Sequence, residues 1–130
     1  MKSYDLPFIQ KAAEILLNDP TRSFTITSLA LEVGINSSKL REGFKCMYCK
    51  TIYQFRIELR LNIAKDLLEN TDLTLAEIAY KAGFDSRDAF GRCFRKRYHL
   101  PPREWRRIQE ERVAIDSTRD ASKFPEPCLN

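Results

Sequence analysis

Two stretches of the chain carry one pattern: Thr25-Ile-Thr-Ser-Leu-Ala-Leu-Glu-Val-Gly-Ile-Asn-Ser37 and Thr74-Leu-Ala-Glu-Ile-Ala-Tyr-Lys-Ala-Gly-Phe-Asp-Ser86. Thr25/Thr74, Ala30/Ala79, Gly34/Gly83 and Ser37/Ser86 coincide, and Leu29/Ile78, Val33/Ala82 and Ile35/Phe84 keep their apolar character. After one inserted residue the correspondence resumes at Leu40/Phe90, Phe44/Phe94 and Lys45/Arg95. A cap, an apolar stripe and a glycine repeated together mark a duplicated structural unit. Each copy reads as a helix, a glycine-containing turn, a cap and a second helix, which is a helix-turn-helix. The alanines fall where the two helices cross closely, and Ile35 and Phe84 plug the angle between them.

Outward from the repeat, the chain reads as helical. No proline lies between Pro20 and Pro101, and Leu, Ile, Ala, Lys, Arg and Glu fill the interval. No segment alternates as a half-buried strand would. Seven helices are expected. The first spans about 6–18, with Phe8, Ile9, Ala12, Ala13, Leu16 and Leu17 on one stripe, and Asp19-Pro20 stops it. The first helix-turn-helix covers about 26–48, its second helix capped by Asn36. A linker helix covers about 51–69, with Ile52, Phe55, Leu59, Ile63, Leu67 and Leu68 as its buried face. The second unit covers about 75–98 and opens on Thr74 and Glu77, a capping box. A seventh helix starts at Pro102 and ends near Val113. The expected fold is all-α and homeodomain-like: one domain over 6–113, with two helix-turn-helix units joined by a long helix. Residues 114–130, poor in large apolar groups, read as a disordered tail.

Charge points to the partner. The net charge is only +4, but residues 86–107 hold Arg87, Arg92, Arg95, Lys96, Arg97, Arg103, Arg106 and Arg107 against Asp88 and Glu104. Residues 1–34 are slightly acidic by contrast. A local cationic excess beside a helix-turn-helix suits duplex DNA, whose major groove receives the second helix of such a unit. The linker, at about 1.5 Å per residue, is about 30 Å long, close to the distance of about 34 Å between successive major-groove faces on one side of B-DNA. One chain, if isolated, could therefore place two recognition helices in adjacent grooves as a monomer, with dimerisation through a further domain as the alternative.

Residues 9–107 resemble the DNA-binding domain of the AraC/XylS family. The likeness rests on LALEVGINSSKLREGFK and on RIELRLNIAKDLLENTDLTLAEIAYKAGFDSRDAFGRCFRKRYHLPPREWR. Within these, it rests on Arg60, Ala64, Leu67 and Leu68 of the linker, and on Ile78, Ala79, Gly83 and Phe84 of the second turn. Phe90, Phe94 and Arg95, then Pro102, Trp105 and Arg106, complete it. The resemblance implies a bacterial transcription regulator, usually an activator, that contacts DNA and RNA polymerase, and the lack of an apolar span or signal-peptide pattern makes the chain read as cytoplasmic. It implies base contacts from Ser38, Arg41 and Glu42 on the third helix and from Arg87, Asp88 and Arg92 on the sixth. Arginine can pair bidentately with guanine and glutamate can accept from cytosine. Ser37, Lys45, Arg95 and Lys96 suit phosphates, and Gly91 suits close approach of the DNA backbone. Trp105 is expected to pack under the second unit. The family usually has glycine at the turns held here by Cys49 and His99, so strained or altered turns are expected there.

Other chemistries find few parts. Cys46-Met-Tyr-Cys49 is a lone CxxC without the second pair of a zinc site, and His99 is the single histidine. A redox- or metal-responsive regulator using Cys46 and Cys49 is one alternative reading, Lys45 and Lys50 flanking the motif. A helical adaptor that binds protein is another. No catalytic constellation or Gly-rich phosphate loop is present, so no enzyme activity and no cofactor are expected. No run of about 18 apolar residues and no signal-peptide pattern appears, so no membrane partner is expected. The chain reads equally as a complete short regulator or as the DNA-binding end of a longer one.

Overall fold

The structure is a computed structural model that describes residues 5–118. Its described residues form seven helices and no strand: α1 (Leu6–Asn18), α2 (Ile26–Val33), α3 (Ser37–Tyr48), α4 (Ile52–Asn70), α5 (Leu75–Lys81), α6 (Arg87–Tyr98) and α7 (Pro102–Thr118). The expected units fall on α2–α3 and α5–α6, with α4 between them. One boundary differs: α7 runs five residues past the expected end at Val113, so 114–118 is helix rather than disordered tail. The remainder of the expected tail, 119–130, lies outside the described residues.

Local chemistry sets the helix starts. The Thr25, Thr51 and Thr74 hydroxyls accept from the amides of Ser28, Gln54 and Glu77, whose side chains accept in return from the threonine amides. Each box satisfies two amides that a helix start otherwise leaves open. Asn36 and Ser86 cap α3 and α6 in the same way from one side. Both turns use a left-handed glycine, Gly34 at φ +92° and Gly83 at φ +86°, a conformation that costs glycine nothing. Beyond them the Ile35 and Phe84 amides donate to Ala30 O (3.1 Å) and Ala79 O (2.9 Å), turning the chain into the second helix.

There are two cores. The first joins Ile9, Ala12, Ala13 and Leu16 of α1 to Leu29, Ala30 and Val33 of α2, Leu40 and Phe44 of α3, and Ile52 of α4. The second joins Leu61, Ala64 and Leu68 of α4 to Ile78, Ala79, Ala82, Phe84, Phe90 and Phe94. Helix α4 packs all six residues expected on its buried face, but divides them between two cores and buries Leu61 and Ala64 in addition. Its first half packs Ile52, Phe55 and Leu59 on the first core, and its second half turns Leu61, Ala64 and Leu68 to the second. A helix shared by two cores must bury two faces in succession, so one 3.6-residue stripe cannot describe it.

The shared helix extends the repeat. In the first unit Phe44, Tyr48 and Phe55 form a ring cluster, with Phe44 and Phe55 edge-on at 5.2 Å. In the second, Phe94, Tyr98 and Trp105 do the same, with Phe94 and Trp105 edge-on at 5.7 Å. Thus α4 closes the first unit as α7 closes the second. Trp105 packs beneath the second unit as expected, and its indole N–H donates to Glu69 Oε2 at 2.9 Å.

Candidate nucleic-acid interface

Burial of Leu40, Gly43 and Phe44 against the first core fixes the rotation of α3. Ser38, Arg41, Glu42 and Lys45 are left exposed, and Ser37, in the first turn, is half-buried. Phe90 and Phe94, both fully buried, do the same for α6 and leave Arg87, Asp88, Arg92, Arg95 and Lys96 exposed. All the residues expected to face a ligand are thus exposed except Ser37 and Gly91, which are half-buried. Gly91 is half-buried, and a β-carbon there would meet nothing within 4 Å, so packing inside the protein does not demand glycine. It lines a groove of about 540 Å³ with Arg87, Asp88, Arg92 and Arg95 on one wall and Pro102, Arg103 and Glu104 of α7 on the other.

Among the described residues, the cations divide into two groups. Arg41, Lys45, Arg87, Arg92, Arg95 and Lys96 form no salt bridge and no side-chain hydrogen bond, so each can meet an external anion without breaking an internal bond. Arg106 and Arg107 belong to the other group, although the sequence counts them in the same basic segment. Arg106 donates to the carbonyls of Leu68 (3.3 Å), Leu73 (2.5 Å) and Thr71 (3.0 Å). Arg107 is held between Glu104 at 2.8 Å and Glu111 at 2.9 Å, and those carboxylates, chiefly Glu104, raise its pKa further. The cationic surface is accordingly the outer face of α6 with Arg97 and Arg103, not the whole of 86–107.

Two arginines of α4 also turn inward. Arg56 donates to Arg22 O (3.1 Å) and Phe24 O (3.5 Å) and lies 4.3 Å over the Phe24 ring. Arg60 donates to Pro20 O (2.9 Å) and Arg22 O (3.3 Å). In the sequence Arg56 has no assigned contact, and Arg60 stands out only through the family likeness. Their spacing of one helical turn was the available signal, since residues so spaced share a face.

Cys46 and Cys49 are both exposed, and among the described residues no three His, Cys, Asp or Glu side chains gather as a metal-holding group. Cys49 (φ +62°) and His99 (φ +69°) are left-handed, the shape the family's glycine would give, so the turns are preserved at the expense of backbone strain. No helix among the described residues is long and apolar enough to cross a membrane.

A family model described as a helix-turn-helix domain matches residues 29–108. An uncharacterised HTH-type transcriptional regulator of Pseudoalteromonas carrageenovora is 32% identical over 99 residues, covering 76% of this chain and 58% of that protein. Of the first curated relatives matched, this chain spans 8% to 58% of the length. A transcriptional regulator with an AraC-type DNA-binding domain from Chromobacterium violaceum superposes with a TM-score of 0.71 at 25% identity, covering 83% of this chain and 96% of that one. The DNA-binding domain of AdpA, solved with a target DNA, shares the fold at a TM-score of 0.75 and 23% identity, over 80% of this chain and 94% of that one. The regulators named above are described as transcription regulators, and a histidine kinase of Formosa agariphila carries a segment 28% identical to 85% of this chain over 8% of its own length. With a paired helix-turn-helix fold, an exposed face on the second helix of each unit and a family match over residues 29–108, the chain belongs to the AraC-type helix-turn-helix family of transcription regulators.

Proposed function

We propose that this chain binds a specific DNA sequence as a monomer, with α3 and α6 in successive major grooves on one face of the duplex. The observation that carries this reading is the set of unpaired cations on two equivalent helix faces. Arg41, Glu42 and Ser38 read base edges in one half-site, and Arg87, Asp88 and Arg92 read them in the other. Ser37, Lys45, Arg95 and Lys96 hold phosphates, and Gly91 lets the backbone come close. The two faces differ in residue type, so the site is asymmetric. The setting is a bacterial cytoplasm, and the outcome is activation through contact with RNA polymerase.

Selection of bound duplexes from a random pool, followed by salt titration on the winner, tests this. One asymmetric sequence of about 20 base pairs should emerge. Its log affinity should fall with log salt at a slope near −5 to −7, as about 6–8 phosphate contacts require. A slope near zero, or no enriched sequence, contradicts the proposal.

A further inference from the structure

Apart from α4, the helices of each unit pack mainly on one another, so two cores strung on one helix would be free to twist. One contact outside the cores opposes that. The second unit's turn rests on the loop that leads into the first unit: a β-carbon on Gly83 would lie 3.0 Å from both Cα and Cβ of Thr21, and 3.2 Å from Arg60 Nε. Arg60 is buried between them and binds the carbonyls on either side of Thr21, those of Pro20 and Arg22. The counterpart Gly34 meets only the Phe8 ring at 3.6 Å, within its own unit. Arg60 also differs from Arg56 and Arg106, each of which holds the loop of its own unit. Burial lowers the pKa of both Arg56 and Arg60, and Asp85 of the second unit's turn acts the other way on each. A guanidinium remains charged in such a setting.

We infer that Arg60 and Gly83 are positioning residues that lock the two units at one separation and twist, and so make recognition strict for the spacing between half-sites. Resting on the two-groove reading above, the inference adds what sets the register. One base pair of extra spacer moves the second half-site by about 3.4 Å and about 35° around the duplex, which two rigidly coupled helices cannot follow without losing contacts.

The test is a titration of the full chain against duplexes whose half-sites are separated by the selected spacer, one base pair less and one base pair more. The chain with Arg60 intact should lose at least about tenfold in affinity at either altered spacer, the value of one lost base contact. Arg60→Gln, its helicity checked by circular dichroism, should flatten this profile to about threefold or less while still requiring both half-sites. Arg60→Lys replaces it should the glutamine variant not fold. Arg56→Leu, which removes bonds to the same entry loop without touching Gly83, should weaken stability and leave the profile steep. A folded Arg60 variant with the unaltered profile overturns the inference. A flat profile for the unsubstituted chain with both half-sites still required also overturns it and leaves the two-groove reading intact. A half-site that contributes nothing overturns both.

Discussion

Arg56 and Arg106 are the same residue of the repeat. Arg56 donates to the carbonyls of Arg22 and Phe24, and Arg106 to those of Thr71 and Leu73, which are the repeat equivalents. The preceding residues, Phe55 and Trp105, fill equivalent places in the two ring clusters. Each unit therefore ends with an aromatic–arginine pair that packs beneath its recognition helix and ties its entry loop. A charged side chain bonded to several carbonyls is worth more than an exposed ion pair.

It follows that Arg106→Ala should cost about 2–3 kcal/mol of stability, since three carbonyls lose a charged donor. Arg107→Ala, which breaks only exposed ion pairs, should change stability little. Urea melts of the two variants check the contrast; equal effects would mean that the carbonyl bonds of Arg106 do not hold the loop.

Cys49→Gly and His99→Gly should each be neutral or stabilising by up to about 1 kcal/mol, the relief of a left-handed non-glycine residue set against glycine's looser unfolded chain. Both side chains are exposed, so little packing is lost. Denaturant midpoints decide. A clear loss on Cys49→Gly would show that the thiol binds or packs against something.

Glu77 has its pKa lowered, first by the hydrogen bond from the Thr74 backbone amide. A carboxyl with a lowered folded-state pKa stabilises the protein above the usual carboxylate range and loses that contribution as pH falls through the lowered value. Acidification from neutral to below pH of about 4 should therefore destabilise the parent protein more than Glu77→Gln, whose amide oxygen keeps the cap without titrating. Identical pH profiles in thermal melts would rule out this contribution.

Arg41→Ala should change the ranking of single-base variants at one position and cost about 1–3 kcal/mol on the best site, whereas Arg95→Ala should weaken all sequences alike and lower the salt slope by about one. Competition binding at two salt concentrations separates them. An unchanged ranking for Arg41→Ala would reassign that side chain to phosphate.

The helix order and the outward faces of α3 and α6 were legible in the sequence because caps, glycines and buried aromatics are local signals: Thr74 with Glu77, Gly83, and Phe90 with Phe94 needed no distant partner. The inward arginines were not. Arg106 sits in a basic run beside Arg103 and Arg107 and differs from them only in having carbonyls far back in the chain within reach. The twist of α4 from one core to the other was hidden for the same reason, since Phe55 and Leu61 belong to faces defined by different partners. The end of α7 was set too early because its last turns lack the apolar stripe by which a helix is recognised, although nothing there breaks one.

The central claim is that one chain reaches two major grooves, and hydroxyl-radical footprinting of the 130-residue chain on its selected duplex tests it most directly. Two protected segments about one helical turn apart on one face are expected, saturating at one chain per duplex. Protection confined to one groove, or binding that appears only with two chains on a palindrome, would contradict it.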